Sequence, residues 1–109
     1  MRIRLAACAL LLAASPLAYA ASGDAAAGAK KSSVKGCPAC HGADGVSPSP
    51  DFPNLAGQYA DYLETAMKHY KTGKRKNPIM AEQVKSLTDK DMMDLAAFYA
   101  TKRGLSVKY

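Results

Sequence analysis

The chain has no tryptophan, and its few phenylalanines and tyrosines make up 7% of 109 residues, too sparse an aromatic supply for a platform on which nucleic-acid bases stack. It has no dense Lys/Arg stripe of the kind that tracks a phosphate backbone. No stretch alternates apolar and polar residues for long enough to make a sheet, which leaves helices as the means of burying a core. There is no internal repeat. The longest apolar run, Leu5 to Ala14, is broken by Ser15-Pro16 and falls short of the roughly 20 apolar residues a membrane span needs.

That run has another reading. Met1 to Arg4 carries two arginines, the apolar run follows, and Ala18-Tyr19-Ala20 supplies small residues, the three parts of a secretory signal peptide. We expect residues 1–20 to be cleaved and residues 21–109 to form one domain, exported to the bacterial periplasm without stable membrane insertion. Cys8 lies too close to Arg4 for a lipoprotein site, because only three residues separate them, and it leaves with the signal. The mature chain then carries 13 basic and 9 acidic side chains, a formal charge of +4. This mild basicity favours an acidic protein partner over nucleic acid. A domain this small often relies on a disulfide, a metal or a cofactor for stability.

Only two cysteines remain after cleavage, in Cys37-Pro38-Ala39-Cys40, directly followed by His41. Cys-x-x-Cys-His is the attachment signature of c-type haem: both thiols add across the haem vinyl groups and the histidine ligates the iron. Two intervening residues in a helical turn set both sulfurs along one porphyrin edge, and the next residue projects its imidazole toward the iron. A structural disulfide or a thioredoxin-like pair needs no histidine there, and the strand-helix pattern of a thioredoxin site is missing. A zinc site needs a fourth ligand, and His69 is the only other histidine. The expected cofactor is one haem c, covalent through Cys37 and Cys40, with His41 as the proximal metal ligand.

The rest of the chain reads as helices and loops. Residues Asp24 to Lys35 are Ala-rich and proline-free, with Ser22 or Asp24 as the cap. Gly42 to Gly57 holds three prolines and the turn signal Asp44-Gly45, which excludes a long regular element. Apolar residues then recur at Tyr59, Leu63, Ala66 or Met67, and Tyr70, one helical face that should stop at Gly73. Lys74 to Pro78 is a polar loop, and Ile79 to Lys85 has room for a short turn of helix. Thr88-Asp89-Lys90-Asp91 is a variant capping box, with Leu87 placed to staple against Met92. The final helix should run through Met92, Leu95, Ala96 and Tyr99 to Lys102 and Arg103, with Gly104 as its stop.

The second axial ligand is sought among four methionines and His69. Most helical methionines fill cores; Met92 and Met67 suit buried faces, and Met93 a more exposed flank. Met80 follows Asn77-Pro78-Ile79 in a loop, where the chain can carry a thioether to the haem face opposite His41. His69 sits mid-helix among lysines, as on a solvated face, and is the second choice.

In this order of motifs the chain resembles the class I monohaem cytochromes c, the short bacterial periplasmic type. The shared features are the Ala/Gly helix, Cys37 to Gly42, Pro53-Asn54-Leu55-Ala56-Gly57-Gln58, the methionine segment at Met80, and Asp94-Leu95-Ala96-Ala97-Phe98-Tyr99. The resemblance implies an all-α fold with its first and last helices crossing around one haem. It implies that Pro53 offers its carbonyl to the second nitrogen of His41, and that Gly28 spares a clash with Tyr99 or Phe98. Propionate partners do not carry over; Gln58, Tyr59, Lys74 and Arg75 are candidates.

The expected activity is single-electron transfer by a monomeric carrier with His41 and Met80 as axial ligands, not catalysis. Lys68, Lys71, Lys74, Arg75 and Lys76 would steer it to redox proteins with acidic docking surfaces. A displaceable sixth ligand would instead make it a haem enzyme or gas sensor, and a permanent partner a fixed subunit of a larger redox complex.

Overall fold

The computed structural model describes residues 23–104. The signal sequence, Cys8 and the Ser22 cap lie outside the described residues.

Five helices make up the regular structure of the described residues: α1 (Ala25–Lys35), α2 (Pro38–His41), α3 (Ala60–Thr72), α4 (Pro78–Val84) and α5 (Asp89–Ala100). None is long and apolar enough to cross a membrane. Asp24 caps α1, its carboxylate accepting the amides of Ala26 and Ala27 at 2.9 and 3.2 Å. The Thr88 hydroxyl accepts the Asp91 amide at 3.1 Å while Asp91 accepts the Thr88 amide at 2.9 Å, so α5 starts on a reciprocal capping box. Leu87 and Met92, on either side of that box, share one buried cluster with Val84 and Leu95.

α5 is the organising element. It packs against α1 along most of its length and against α3 on another side, and α3 in turn meets α4. Met92, Leu95, Ala96 and Tyr99 are all buried, the face that the apolar spacing predicts. α1 comes close to α5 because Gly28 has no side chain: a Cβ there would lie 1.9 Å from the Asp94 carbonyl oxygen and 2.8 Å from Phe98 Cβ. The close approach is the expected one, but the obstacle is chiefly backbone, and Tyr99 is not among the nearest atoms.

Beside Gly28 the crossing is bolted by charge. The Asp94 carboxylate, wholly buried, accepts the Asp24 amide at 2.8 Å, Lys31 Nζ at 2.5 Å and Lys90 Nζ at 2.9 Å. Lys31 also reaches Asp91 at 2.9 Å. A buried charge is tolerated only when paired and hydrogen-bonded in this way.

Three expectations shift. α5 ends at Ala100, before Lys102 and Gly104, because its last carbonyls are taken: Phe98 by the Thr101 hydroxyl at 2.6 Å, and Tyr99 by the Gly57 amide at 3.0 Å. Gly104 lies against the backbone of Ala56 and Gly57. Tyr59 is 79% exposed, because it caps α3 in extended conformation and so precedes the helical face. Residues 78–84 form a full short helix, with Met80 inside it.

Candidate cofactor site

The site begins where α1 ends. Gly36 leaves the helix with φ of 74°, and the Cys37 amide, 3.2 Å from the Ser32 carbonyl, keeps the chain close to α1. Pro38, with its fixed φ, starts α2. The His41 amide closes the turn on the Cys37 carbonyl at 3.0 Å. One turn therefore carries both thiols and the imidazole. Both cysteines are free and half-buried.

His41 is buried, and its Nδ1 donates to the Pro53 carbonyl at 2.8 Å. A carbonyl only accepts, so Nδ1 holds the proton and Nε2 is the nitrogen with a lone pair. Such a partner fixes both ring orientation and tautomer for ligation. Pro53 is carried there by the Gly42–Gly57 loop, which is tied back on itself where Gly45 accepts the amides of Leu55 and Ala56 at 2.7 and 3.0 Å.

Cys37, Cys40, His41, Pro53 and Met80 all line one cavity of about 410 Å³, whose remaining walls include Leu55, Leu63, Met67, Val84, Leu95 and Tyr99. Met92 is buried in the core, and neither it, Met93 nor His69 reaches the cavity. Met67 does, midway along α3, where it packs against both core clusters. Met80 is in the first turn of α4 and not in a loop. Asn77 accepts the amides of Ile79 and Met80 at 3.0 and 3.1 Å, and Pro78 presets the first helical residue. The thioether thus hangs from a capped turn.

Of the four propionate candidates, Gln58 and Arg75 line the cavity, and Tyr59 and Lys74 do not. The Arg75 guanidinium lies 4.8 Å from the centre of the Tyr70 ring, a cation–π contact that holds it. Tyr62, Asn77 and Tyr99 also line the cavity and had not been singled out for it. For Asn77 the signal was available, since Asn-Pro is a cap followed by a first-turn proline.

Burial pushes the Cys37 thiol up, and likewise the Tyr99 hydroxyl; both are protonated at neutral pH before any cofactor is joined. Among the described residues no three His, Cys, Asp or Glu side chains are grouped to hold a bare metal ion. What the cavity offers is two sulfurs on one turn, an imidazole with Nε2 available, a thioether, and walls that are otherwise largely apolar. That donor set fits an iron porphyrin attached at one edge.

Comparison with known proteins agrees. The cytochrome c family model matches residues 25–101. The chain is 49% identical over 94 residues to cytochrome c4 of Pseudomonas aeruginosa, covering 86% of this chain and 45% of that protein. It is 44% identical over 84 residues to cytochrome c-554(548) of Halomonas halodenitrificans, covering 74% of this chain and 99% of that one. The crystal structure of reduced recombinant cytochrome c4 from Pseudomonas stutzeri superposes with a TM-score of 0.71 at 41% identity, over 81% of this chain and 50% of the other. The chain thus spans about half the length of the cytochrome c4 proteins it matches, and its all-helical architecture is the class I cytochrome c fold. With Cys37 and Cys40 as the points of covalent attachment for one haem c, the chain belongs to the cytochrome c family.

Proposed function

We propose that this protein is a periplasmic carrier of single electrons whose haem iron is held between His41 Nε2 and Met80 Sδ. The observation that carries the reading is that His41, oriented by Pro53, and Met80, oriented by the Asn77 cap, line the same cavity as both attachment cysteines. Bound haem supplies a one-electron ferric/ferrous couple. His41 and Met80 stay in place in both states, since each is held by backbone and not by the metal alone. The apolar walls keep water from the site and favour the less charged ferrous state. Arg75 and Gln58 are positioned to meet the propionates. The leader sequence supports export, and the protein is read as a monomer.

Partners are proposed to be redox proteins with acidic docking surfaces. Lys68 is paired with Glu64 at 2.8 Å, so Lys71, Lys74, Arg75 and Lys76 are the exposed cations of this cluster left to steer. An axial thioether leaves no vacant position for substrate, which argues against catalysis.

The test is the absorption spectrum of the purified holoprotein with and without reductant. We expect c-type bands and, in the ferric form, the weak red band of a methionine–iron bond. Met80→Ala should lose that band and gain carbon monoxide binding in the ferrous state, seen as a Soret shift. A red band that survives Met80→Ala, or ready carbon monoxide binding by the parent protein, overturns the ligand assignment. Gel filtration at the mass of two or more chains overturns the monomer.

A further inference from the structure

Two hydroxyls meet inside the core. Tyr99, on α5, is 3% exposed and lines the cofactor cavity; Ser32, on α1, is 1% exposed. Their oxygens lie 2.6 Å apart. Burying hydroxyls is unfavourable unless they are paired, and phenylalanine with alanine would fill nearly the same space without that penalty. The helix crossing does not depend on them, since the Gly28 contact and the Asp94 network already join α1 to α5.

What the pair does have is a neighbour. Cys37 packs against the cluster that contains Tyr99, and the Ser32 carbonyl holds the Cys37 amide at 3.2 Å. Burial raises the Cys37 thiol, and the two hydroxyls, close to its sulfur, pull it back down. Two hydroxyls carry two protons. One is used between the oxygens, and the other is available to the sulfur.

We infer that Tyr99 and Ser32 form a positioning pair for the first thioether, orienting a hydroxyl proton toward Cys37 Sγ and thereby raising the reduction potential of the haem joined there. The physical reason is charge. The positive end of an O–H dipole at the haem edge favours the ferrous state, which has one positive charge fewer, and it acts in a buried site where screening is weak. The inference rests on haem attachment at Cys37 and is independent of which side chain is the sixth ligand.

The experiment is potentiometric titration of holoprotein variants, each first shown by mass spectrometry to carry one covalent haem. Tyr99→Phe and Ser32→Ala should each lower the midpoint, reducing the ferrous-to-ferric ratio at fixed potential about threefold, or about 30 mV at the 59 mV per decade of a one-electron couple. The double variant should go no lower than the single ones, because the two hydroxyls act as a unit. Ser32→Thr, which keeps a hydroxyl, should restore the parent midpoint. Unchanged midpoints in Tyr99→Phe and Ser32→Ala, with only a lower unfolding temperature, would show a plain helix clamp and overturn the inference. If Tyr99→Phe does not load haem, Ser32→Ala decides alone on the same criterion. Loss of the red methionine band in the parent protein would defeat the ligand assignment without touching this result.

Discussion

At the scale of single residues, the crossing of α1 and α5 rests on one missing side chain and one buried carboxylate. Gly28→Ala gains up to about 1 kcal/mol of helix propensity, but its Cβ meets the Asp94 carbonyl, and backbone cannot step aside as a flexible side chain can. Overpacking of this kind costs about 1–3 kcal/mol, so the clash wins. We expect Gly28→Ala to unfold at lower urea concentration than the parent holoprotein. The Lys31 ammonium, then the Asp24 amide and Lys90, hold the Asp94 carboxyl well below the usual carboxylate range. The Thr88 amide and Lys31 bring Asp91 down to about 2. Both groups bind protons more weakly in the folded chain than in the unfolded one, whose aspartates titrate near pH 4. Their contribution is therefore complete above about pH 4 and drains away as pH falls through 4 toward 2 and below. Urea midpoints at neutral pH and at successive steps below pH 4 should show this loss. Asp94→Asn should start less stable at neutral pH and decline less steeply below pH 4.

Among the elements, α4 is the weak one, and it carries Met80. Seven residues are too few for a helix to persist without outside support, and the Asn77 cap supplies much of that support at its start. Asn77→Ala should remove about 0.5–2 kcal/mol, felt first at Met80, the proposed ligand: the red methionine band should fade on heating well before the helical signal does. Thr88→Ala, at the head of the central helix α5, should instead lower both transitions together. The contrast also explains what could be read from residue order. Asp24, Thr88 and Gly73 announce their elements through local chemistry and stand where that chemistry predicts. Residue order places Met80 in a loop because the two residues of helix before it and the four after it are too few for a periodic pattern to show. Gly104 looked like a stop, but the end of α5 is set by Gly57, which is distant in sequence. The Pro53 contact with His41 uses a carbonyl that every residue type possesses, so composition and spacing give no sign of it and only the family resemblance suggested it. The Ser32–Tyr99 pair was missed because a serine in an Ala-rich helix and a tyrosine on an apolar face both look ordinary until the two helices are brought together.

For the whole molecule, the distribution of charge decides how it meets others. With the Lys68 charge paired to Glu64, the proposed steering falls to Lys71, Lys74, Arg75 and Lys76, all exposed and just before α4. Reversing Lys74 and Lys76 to glutamate should slow electron transfer to an acidic partner at low salt and converge on the parent rate as salt screens the surface. Stopped-flow rates across ionic strength are the measure, and equal rates throughout would remove the steering role. The geometry also permits an order in time. Both sulfurs and the imidazole lie within five consecutive residues, whereas the bond between Asp24 and Asp94 joins positions 70 apart. Closing a long loop is entropically dearer than closing a turn, so a newly made, still extended chain can present its entire cofactor-capturing segment before any distant parts of it have met. Loading can then come first, with the interior gathering around its guest.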